Sequence, residues 1–291
     1  MKTVLFSLFF LLQVCLGAKV YDCFPFWKEF EVLQIRLEEL YDEVDYFVLV
    51  EGTKTFTGDP KPLYFAENAH LFEKYRDKII HIVVEDYPPV TGDLDKDFWA
   101  REIHQHNASL RGLTNCHPDD IIFLSDVDEV IRGETIRKVK SYFANKHPKK
   151  YLLEKRKGVV KPNVVALDMP NFSFQLNRTA TTRWTGPAKA VPYWVLSILT
   201  PDNIHLLHHT NLDLYTLWDA GWHFNTMGLL EMAIAKWKCH NPNFSYDQEG
   251  LRKSYEECKS RHIPVPVDDS FPKYVRDNLE YYRSIGWIAD Y

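Results

Sequence analysis

Residues 120–131 read DIIFLSDVDEVI, an apolar run that ends in two aspartates one residue apart. The run has the composition of a buried strand, and ligands bind at the carboxyl ends of the strands in open parallel sheets. Asp126 and Asp128 share one face of an extended segment, and two close carboxylates repel each other unless a cation joins them. The stretch therefore predicts a divalent-cation site, at which the ion bridges to a diphosphate.

Two other interpretations fit the same residues. Either aspartate could cap the helix expected near Gly133 or fill a turn. The string DVDEV at 126–130 also matches the D-x-D-x-[TV] motif of haloacid-dehalogenase-type phosphatases, whose first aspartate is a nucleophile. That motif normally ends the first strand of its fold, whereas three strand-like segments precede Asp126 here. Its position in the chain therefore favours the cation site over the phosphatase.

Helix-like and strand-like stretches alternate before this motif. The three successive pairs of helix and strand are 27–44 with 46–51, 66–76 with 79–85, and 97–113 with 121–126. Their continuous Val, Ile and Leu runs are typical of strands covered on both faces, so we expect an α/β fold with a mostly parallel sheet flanked by helices. Later helices are expected from Gly133 to about Asn145, at about 229–238 and at about 272–284.

Composition limits the possible functions. The chain has 291 residues, 45% of them hydrophobic, which is enough for one large core, and we expect a single domain over 19–291. Residues 19–135 would form the sheet half and residues 136–291 the half that completes a cleft. The formal net charge is -5, so no basic field is present to bind nucleic acid.

Residues 1–18 read MKTVLFSLFFLLQVCLGA, with a basic residue, an apolar run and small residues at the end. This pattern predicts a secretory signal peptide, and hence a protein of the secretory pathway lumen (Golgi or endoplasmic reticulum) or a secreted one. A retained signal anchor is the alternative, and only then would the protein be attached to a membrane. The apolar run is shorter than the roughly 20 residues that cross a bilayer.

Removal of the leader would leave four cysteines, at positions 23, 116, 239 and 258. Their even number permits two disulfides in an oxidising compartment, without specifying which cysteines pair. Four Asn-x-Ser/Thr sequons, at Asn107, Asn171, Asn177 and Asn243, fit the same route. We expect Asn107 to be glycosylated least often because it lies inside a predicted helix.

Five stretches, taken in order, resemble glycosyltransferase family 17. They are 21–63, 98–113, 119–131, the 167–187 segment with LDMPNFSFQLN and RWTGP, and DAGWHFNTMG at 219–228. The family includes the enzyme that adds the bisecting N-acetylglucosamine to N-glycans. The resemblance implies a glycosyltransferase-A-like fold, a divalent metal that is usually Mn²⁺, UDP-N-acetylglucosamine as donor, a glycan or glycoprotein acceptor, and inversion at the anomeric carbon.

The resemblance also implies roles for particular residues. Asp126 and Asp128 would hold the metal and diphosphate, and His223 would complete that shell. Glu51, Arg101 and Gln105 would contact the donor, although Glu51 could be an ordinary strand-end acid and Arg101 could belong to a solvated helix face. His223 could likewise be an ordinary core histidine. The family pattern has an arginine after Gln105, whereas this chain has His106, which puts a donor contact there in doubt.

Inversion by a single displacement requires a base, which the sequence does not identify. Glu129, beside the D-x-D motif, and Asp219, before the GWHF stretch, are the two catalytic candidates, and either could instead be a cap or an ion-pair partner. Trp184 and Trp222 are candidates for stacking on an acceptor sugar, though tryptophan is more often a core residue. A catalytically silent carbohydrate-binding protein remains the rival hypothesis from another functional class.

Overall fold

The structure is a computed structural model that describes residues 17–145, 163–185, 188–209, 214–241 and 248–291. Most of the predicted leader, residues 1–16, and the sequon at Asn243 lie outside the described residues. Among the described residues, no helix combines the length and apolar character that crossing a membrane requires.

Twelve strands are described. They are β1 (Val20–Phe26), β2 (Tyr46–Gly52), β3 (Ile79–Val84), β4 (Ile121–Leu124), β5 (Glu129–Ile131), β6 (Val165–Leu167), β7 (Asn171–Phe174), β8 (Arg178–Thr179), β9 (Lys189–Pro192), β10 (Tyr215–Leu217), β11 (Gly221–Met227) and β12 (Ile263–Pro264). The α-helices in the same residues are α1 (Phe30–Leu40), α2 (Tyr64–Asn68), α3 (Leu94–Asn107), α4 (Gly133–Ala144), α5 (Pro201–His205), α6 (Leu230–Cys239), α7 (Gln248–Ser260), α8 (Lys273–Asp277) and α9 (Leu279–Ser284).

Seven strands form the main sheet, in the order β10-β6-β9-β4-β1-β2-β3. Strand β1 pairs in parallel with β2 and β4, β2 with β3, and β6 with β10, while β9 runs antiparallel to β4 and β6. Separate apolar clusters line its two faces: Phe24 belongs to one and Cys23 to the other. The predicted α/β fold with a mostly parallel, doubly covered sheet is confirmed.

A second sheet, in the order β12-β8-β7-β11-β5, was not anticipated from the sequence. Its strand β5 follows the D-x-D motif directly and pairs antiparallel with β11, so that Glu129 lies opposite His223. The strands approach closely at Gly221, where an added Cβ would lie 2.2 Å from the carbonyl oxygen of Val130. This pairing carries the GWHF stretch from a distant part of the chain to the motif.

The helices differ from the predictions at their ends. The stretch at 66–76 is the short helix α2 followed by a 3₁₀ segment, Ala69–Lys78, and α3 likewise ends in a 3₁₀ segment, Ala108–Gly112. The predicted helix at 272–284 is two helices, α8 and α9, which are separated at Asn278. Helix α7 was missed.

Two expectations that followed from the predicted leader change with the structure. The cysteines at 23, 116, 239 and 258 are all free thiols, so neither permitted disulfide is formed. Asn177 is fully buried, and its amide donates to the carbonyls of Val265 and Ala289 at 2.9 Å each. Asn177, rather than Asn107, is therefore the sequon enclosed in the fold, and Asn107 is the last residue of helix α3.

Candidate active site

A cleft of about 340 Å³ opens where the parallel strands of the main sheet end. The end of β1, the loop after β2, helix α3, strand β11 and helix α6 form its walls around the D-x-D motif. The polar and aromatic side chains on these walls include Glu29, Glu102, Gln105, Asp126, Asp128, Trp184, His223 and Lys236. The position agrees with the rule that placed ligands at the carboxyl ends of parallel strands.

Arg36 of helix α1 fixes the backbone of the D-x-D motif from beneath. Its guanidinium is fully buried and donates to the carbonyls of Asp126, Val127 and Glu129 at 2.7, 3.3 and 3.0 Å. The same group forms a bidentate pair with Asp22, with Nε–Oδ2 and Nη2–Oδ1 distances of 2.7 and 2.5 Å. Multiple charge-assisted bonds of this kind hold a turn in one geometry.

Sequence reasoning missed Arg36. Its signal was available, because it lies between Leu33 and Leu37 on the apolar face of α1, where a charged residue requires a buried partner.

The second aspartate of the motif already has a positive partner. Lys236 of helix α6 places Nζ 2.5 Å from Asp128 Oδ2 and 3.4 Å from Glu29 Oε1. Burial alone would raise the pKa of Asp128, but the ammonium of Lys236 holds it below its ordinary value. Burial would likewise lower the pKa of Lys236, but Asp128 and Glu29 raise it. The pair is therefore ionised at neutral pH.

His223 lies beside the same carboxylate, with Nε2 3.7 Å from Asp128 Oδ1. Burial lowers the pKa of His223 to about 4, against the opposing effect of Asp128, so the imidazole is neutral near pH 7. Its Nδ1 is buried and has no hydrogen-bond partner among the described residues. A neutral ring with an unsatisfied nitrogen could accept a ligand, and the metal-binding role of His223 stays a prediction.

Asp126 faces a different set of side chains. Its Oδ1 lies 3.6 Å from Nε2 of His106 on helix α3. Glu102, His106 and His205 form a group whose ligand atoms lie within 4.8 Å of one another. Burial, together with Asp126 and Asp202, raises the pKa of Glu102 to about 8.

The ligand types around the motif, carboxylates and imidazoles, suit a divalent cation. However, the ligand atoms of Asp126, Asp128 and His223, the predicted metal set, do not meet at one point. In the described part of the chain, the residues whose ligand atoms lie within 4.8 Å of one another are Glu102, His106 and His205. The two aspartates share the cleft but have separate partners.

Glu129, one of the two predicted bases, is fully buried and does not line the cleft. Its Oε2 accepts from the backbone N–H of Asp126 at 2.9 Å, and its Oε1 accepts from Trp184 Nε1 at 2.5 Å. Burial and Asp126 raise its pKa to about 8. Because both oxygens are engaged, Glu129 positions the motif in this structure rather than facing an acceptor.

Asp219, the other predicted base, also lies away from the cleft walls. It has a positive φ of 54° and a side chain that is 68% exposed, and it pairs with Arg183 at 2.6 Å. Trp222 is a buried residue of the second sheet's core, which removes it as a sugar platform. Trp184 does line the cleft, and its ring stacks on His223 with centroids 4.3 Å apart.

The residues predicted to contact the nucleotide sugar separate into one that lines the cleft and two that do not. Gln105 lines the cleft. Arg101 instead donates from Nη1 to the carbonyl of Phe56 at 2.8 Å and packs against Gly58, which fixes the loop after β2. Glu51 is fully buried and accepts from the backbone N–H of Phe65 at 2.9 Å, at the start of α2. In this structure Arg101 and Glu51 therefore support the walls of the cleft without lining it.

Comparisons with known proteins agree on one family. The model of glycosyltransferase family 17 matches residues 13–157, which include the D-x-D motif. Human and rat beta-1,4-mannosyl-glycoprotein 4-beta-N-acetylglucosaminyltransferases are each 33% identical over 119 residues, and the mouse protein of that name is 32% identical. The match covers 39% of this chain and only 22% of the length of these relatives.

Solved structures are more distantly similar. One is a mycobacterial protein with a TM-score of 0.39 and 11% identity, matched over 77% of this chain and 75% of that one. Another is glucosyl-3-phosphoglycerate synthase of M. tuberculosis, with a TM-score of 0.36 and 10% identity over 89% of this chain and 92% of that one. Likeness at this level supports no conclusion about the site. By the family match and its curated relatives, residues 13–157, about half of the chain, belong to glycosyltransferase family 17.

Proposed function

We propose that the protein is a metal-dependent, inverting glycosyltransferase that moves N-acetylglucosamine from UDP-N-acetylglucosamine to a mannose of an N-glycan or similar glycan, in a β-1,4 linkage of the bisecting type. The observation that most supports it is the D-x-D motif, pinned by Arg36 at the floor of a cleft at the carboxyl ends of parallel strands. The names of the matched relatives support the transferred sugar and the linkage.

The chain's own residues would act on the donor from this floor. Asp126, together with the carboxylate and imidazole side chains grouped beside it, offers oxygen and nitrogen ligands for a divalent cation, which we take to be Mn²⁺. When bound, such an ion neutralises charge on the departing UDP. Trp184, locked by Glu129 and stacked on His223, presents one face of a rigid wall to the sugar.

A proton must leave the acceptor hydroxyl in a single displacement. Neither predicted base, Glu129 or Asp219, lines the cleft. The acids that do so besides the two aspartates of the motif are Glu29 and Glu102. Because Glu102 lies with two imidazoles, we propose Glu29 as the general base.

The acceptor and the compartment follow from the same proposal. A transferase for protein-linked glycans works in the secretory pathway lumen, which agrees with the leader-like sequence at residues 1–18. Membrane attachment would require that the leader be kept as an anchor.

The test is UDP release from UDP-N-acetylglucosamine by the purified chain with Mn²⁺, with and without EDTA. Asp128→Ala is the test variant, and Asp119→Ala, an exposed acid on the turn before β4, is its matched control. We expect release that EDTA and Asp128→Ala abolish and that Asp119→Ala leaves unchanged. If this donor and a panel of other nucleotide sugars stay intact with Mn²⁺, the transferase proposal fails and the silent carbohydrate-binding protein replaces it.

A further inference from the structure

Helices α3 and α5 bring together, beside the cleft, three side chains of the types that ligate metals. Glu102 and His106 lie four residues apart on α3, where successive turns of a helix place side chains on one face. His205 ends α5, and its ring centroid lies 4.5 Å from that of His106. One ligand atom from each of the three residues lies within 4.8 Å of the others.

This cluster reaches the D-x-D motif. Nε2 of His106 lies 3.6 Å from Oδ1 of Asp126, which adds a second carboxylate at its edge. Glu102 and Asp126 both line the cleft, so an ion held between them would border the space where a substrate binds. The two helices are also tied together, because the backbone N–H of Asp202 donates to Asn107 Oδ1 at 3.1 Å.

The two aspartates of the motif differ in how their charge is balanced. The carboxylate of Asp128 has the ammonium of Lys236 at 2.5 Å. Asp126 has an imidazole as its neighbour instead. Asp126 therefore has the less fully neutralised carboxylate, and it lies on the side where imidazole nitrogens converge.

We propose that Glu102, His106, His205 and Asp126 bind one divalent transition-metal ion at the edge of the cleft, while Lys236 takes the place of a metal ion at Asp128. This deepens the proposed function, on which it partly rests, by assigning the metal to an imidazole-containing site. Two imidazoles with two carboxylates favour Mn²⁺, Co²⁺ or Zn²⁺ over Mg²⁺ and Ca²⁺, which prefer oxygen ligands throughout.

The experiment measures metal binding directly, with no nucleotide sugar present. The full chain is stripped with EDTA, desalted and titrated with Co²⁺, and the ligand-field absorption and bound metal per chain are recorded. His106→Gln, His205→Gln and Glu102→Gln remove ligands one at a time. His104→Gln is the matched control, since this residue lies on the same helix and faces Asp86. Asp128→Asn tests the second aspartate.

We expect one Co²⁺ per chain, with affinity at least about 10-fold weaker in each of the three ligand variants and unchanged in His104→Gln. Asp128→Asn should keep the spectrum and the affinity. A chain that binds no Co²⁺ overturns the proposal. So does loss of binding in Asp128→Asn with retention in His205→Gln, because the ion would then be held by the D-x-D motif alone.

Unfolding midpoints in EDTA identify any ligand variant that fails to fold, and the other two then carry the test. Activity is scored separately: intact metal binding with no UDP release counts against the proposed function only.

Discussion

Arg36 and Asp22 form a fully buried, bidentate ion pair directly beneath the turn that holds Asp126 and Asp128. Removing one partner leaves the other charge buried and uncompensated. We expect Arg36→Met to lower the free energy of unfolding by about 3–5 kcal/mol, as measured by urea denaturation.

The double variant Asp22→Leu with Arg36→Met separates stability from positioning. It removes both charges, so stability should return toward that of the wild type. The carbonyls of Asp126 and Glu129 would still lack their donor, and UDP release should stay at least about 10-fold low. A double variant with full activity would show that Arg36 does not position the motif.

Lys236→Gln should destabilise the chain by about 3 kcal/mol. Asp128, whose side chain is 6% exposed, would then lack the ammonium partner that balances its charge. The exposed residue Lys238 on the same helix provides the control, and Lys238→Gln should change the free energy of unfolding by less than about 0.5 kcal/mol. Urea denaturation at pH 7 in EDTA compares the two. Equal stabilities would mean that Asp128 is not ionised in the folded protein.

His223 should make the folded state sensitive to acid. Its pKa is about 4 in the folded chain against an ordinary 6.5, so the unfolded chain binds the proton first as the pH falls. Stability from this residue is complete above pH 6.5 and is lost between about 6.5 and 4, by a total of about 3 kcal/mol. In EDTA, the free energy of unfolding of His223→Gln should fall by about 3 kcal/mol less than that of the wild type between about pH 6.5 and 4. A parallel curve for the variant would contradict the buried, neutral imidazole.

Gly58→Ala and Gly92→Ala form a matched pair, since both glycines have positive φ, at 101° and 87°. Each substitution should cost about 1 kcal/mol in backbone strain. An added Cβ at Gly58 would also lie 2.9 Å from Cζ of Arg101, whereas Gly92 has no atom within 4 Å. We expect only Gly58→Ala to raise the KM for the nucleotide sugar, because it displaces the loop that lines the cleft. Equal KM values in the two variants would mean that the loop does not contact the donor.

The main sheet was predictable because its strands are continuous apolar runs and its helices show three-and-four spacing. β2 is an example, with buried residues from Phe47 to Gly52. The second sheet was not predictable in this way. β5 is three residues long and β8 and β12 are two each, so their pairing depends on tertiary contacts rather than on a local pattern.

The site was predicted in its residue types more than in its connections. Asp126, Asp128, His223 and Gln105 do line one cleft. Proximity along the chain suggested Glu129 as a base, yet the residue after the motif begins a strand and turns inward. Lys236 and His205 come from distant helices, and no spacing rule connects a single lysine or histidine to a motif so far away along the chain.

Residues 125–128 connect β4 of the main sheet directly to β5 of the second sheet. A rotation of one sheet against the other would displace the backbone that presents the two aspartates. Under the proposed function, substitutions in the second sheet that alter acceptor preference would therefore also change how the donor is held.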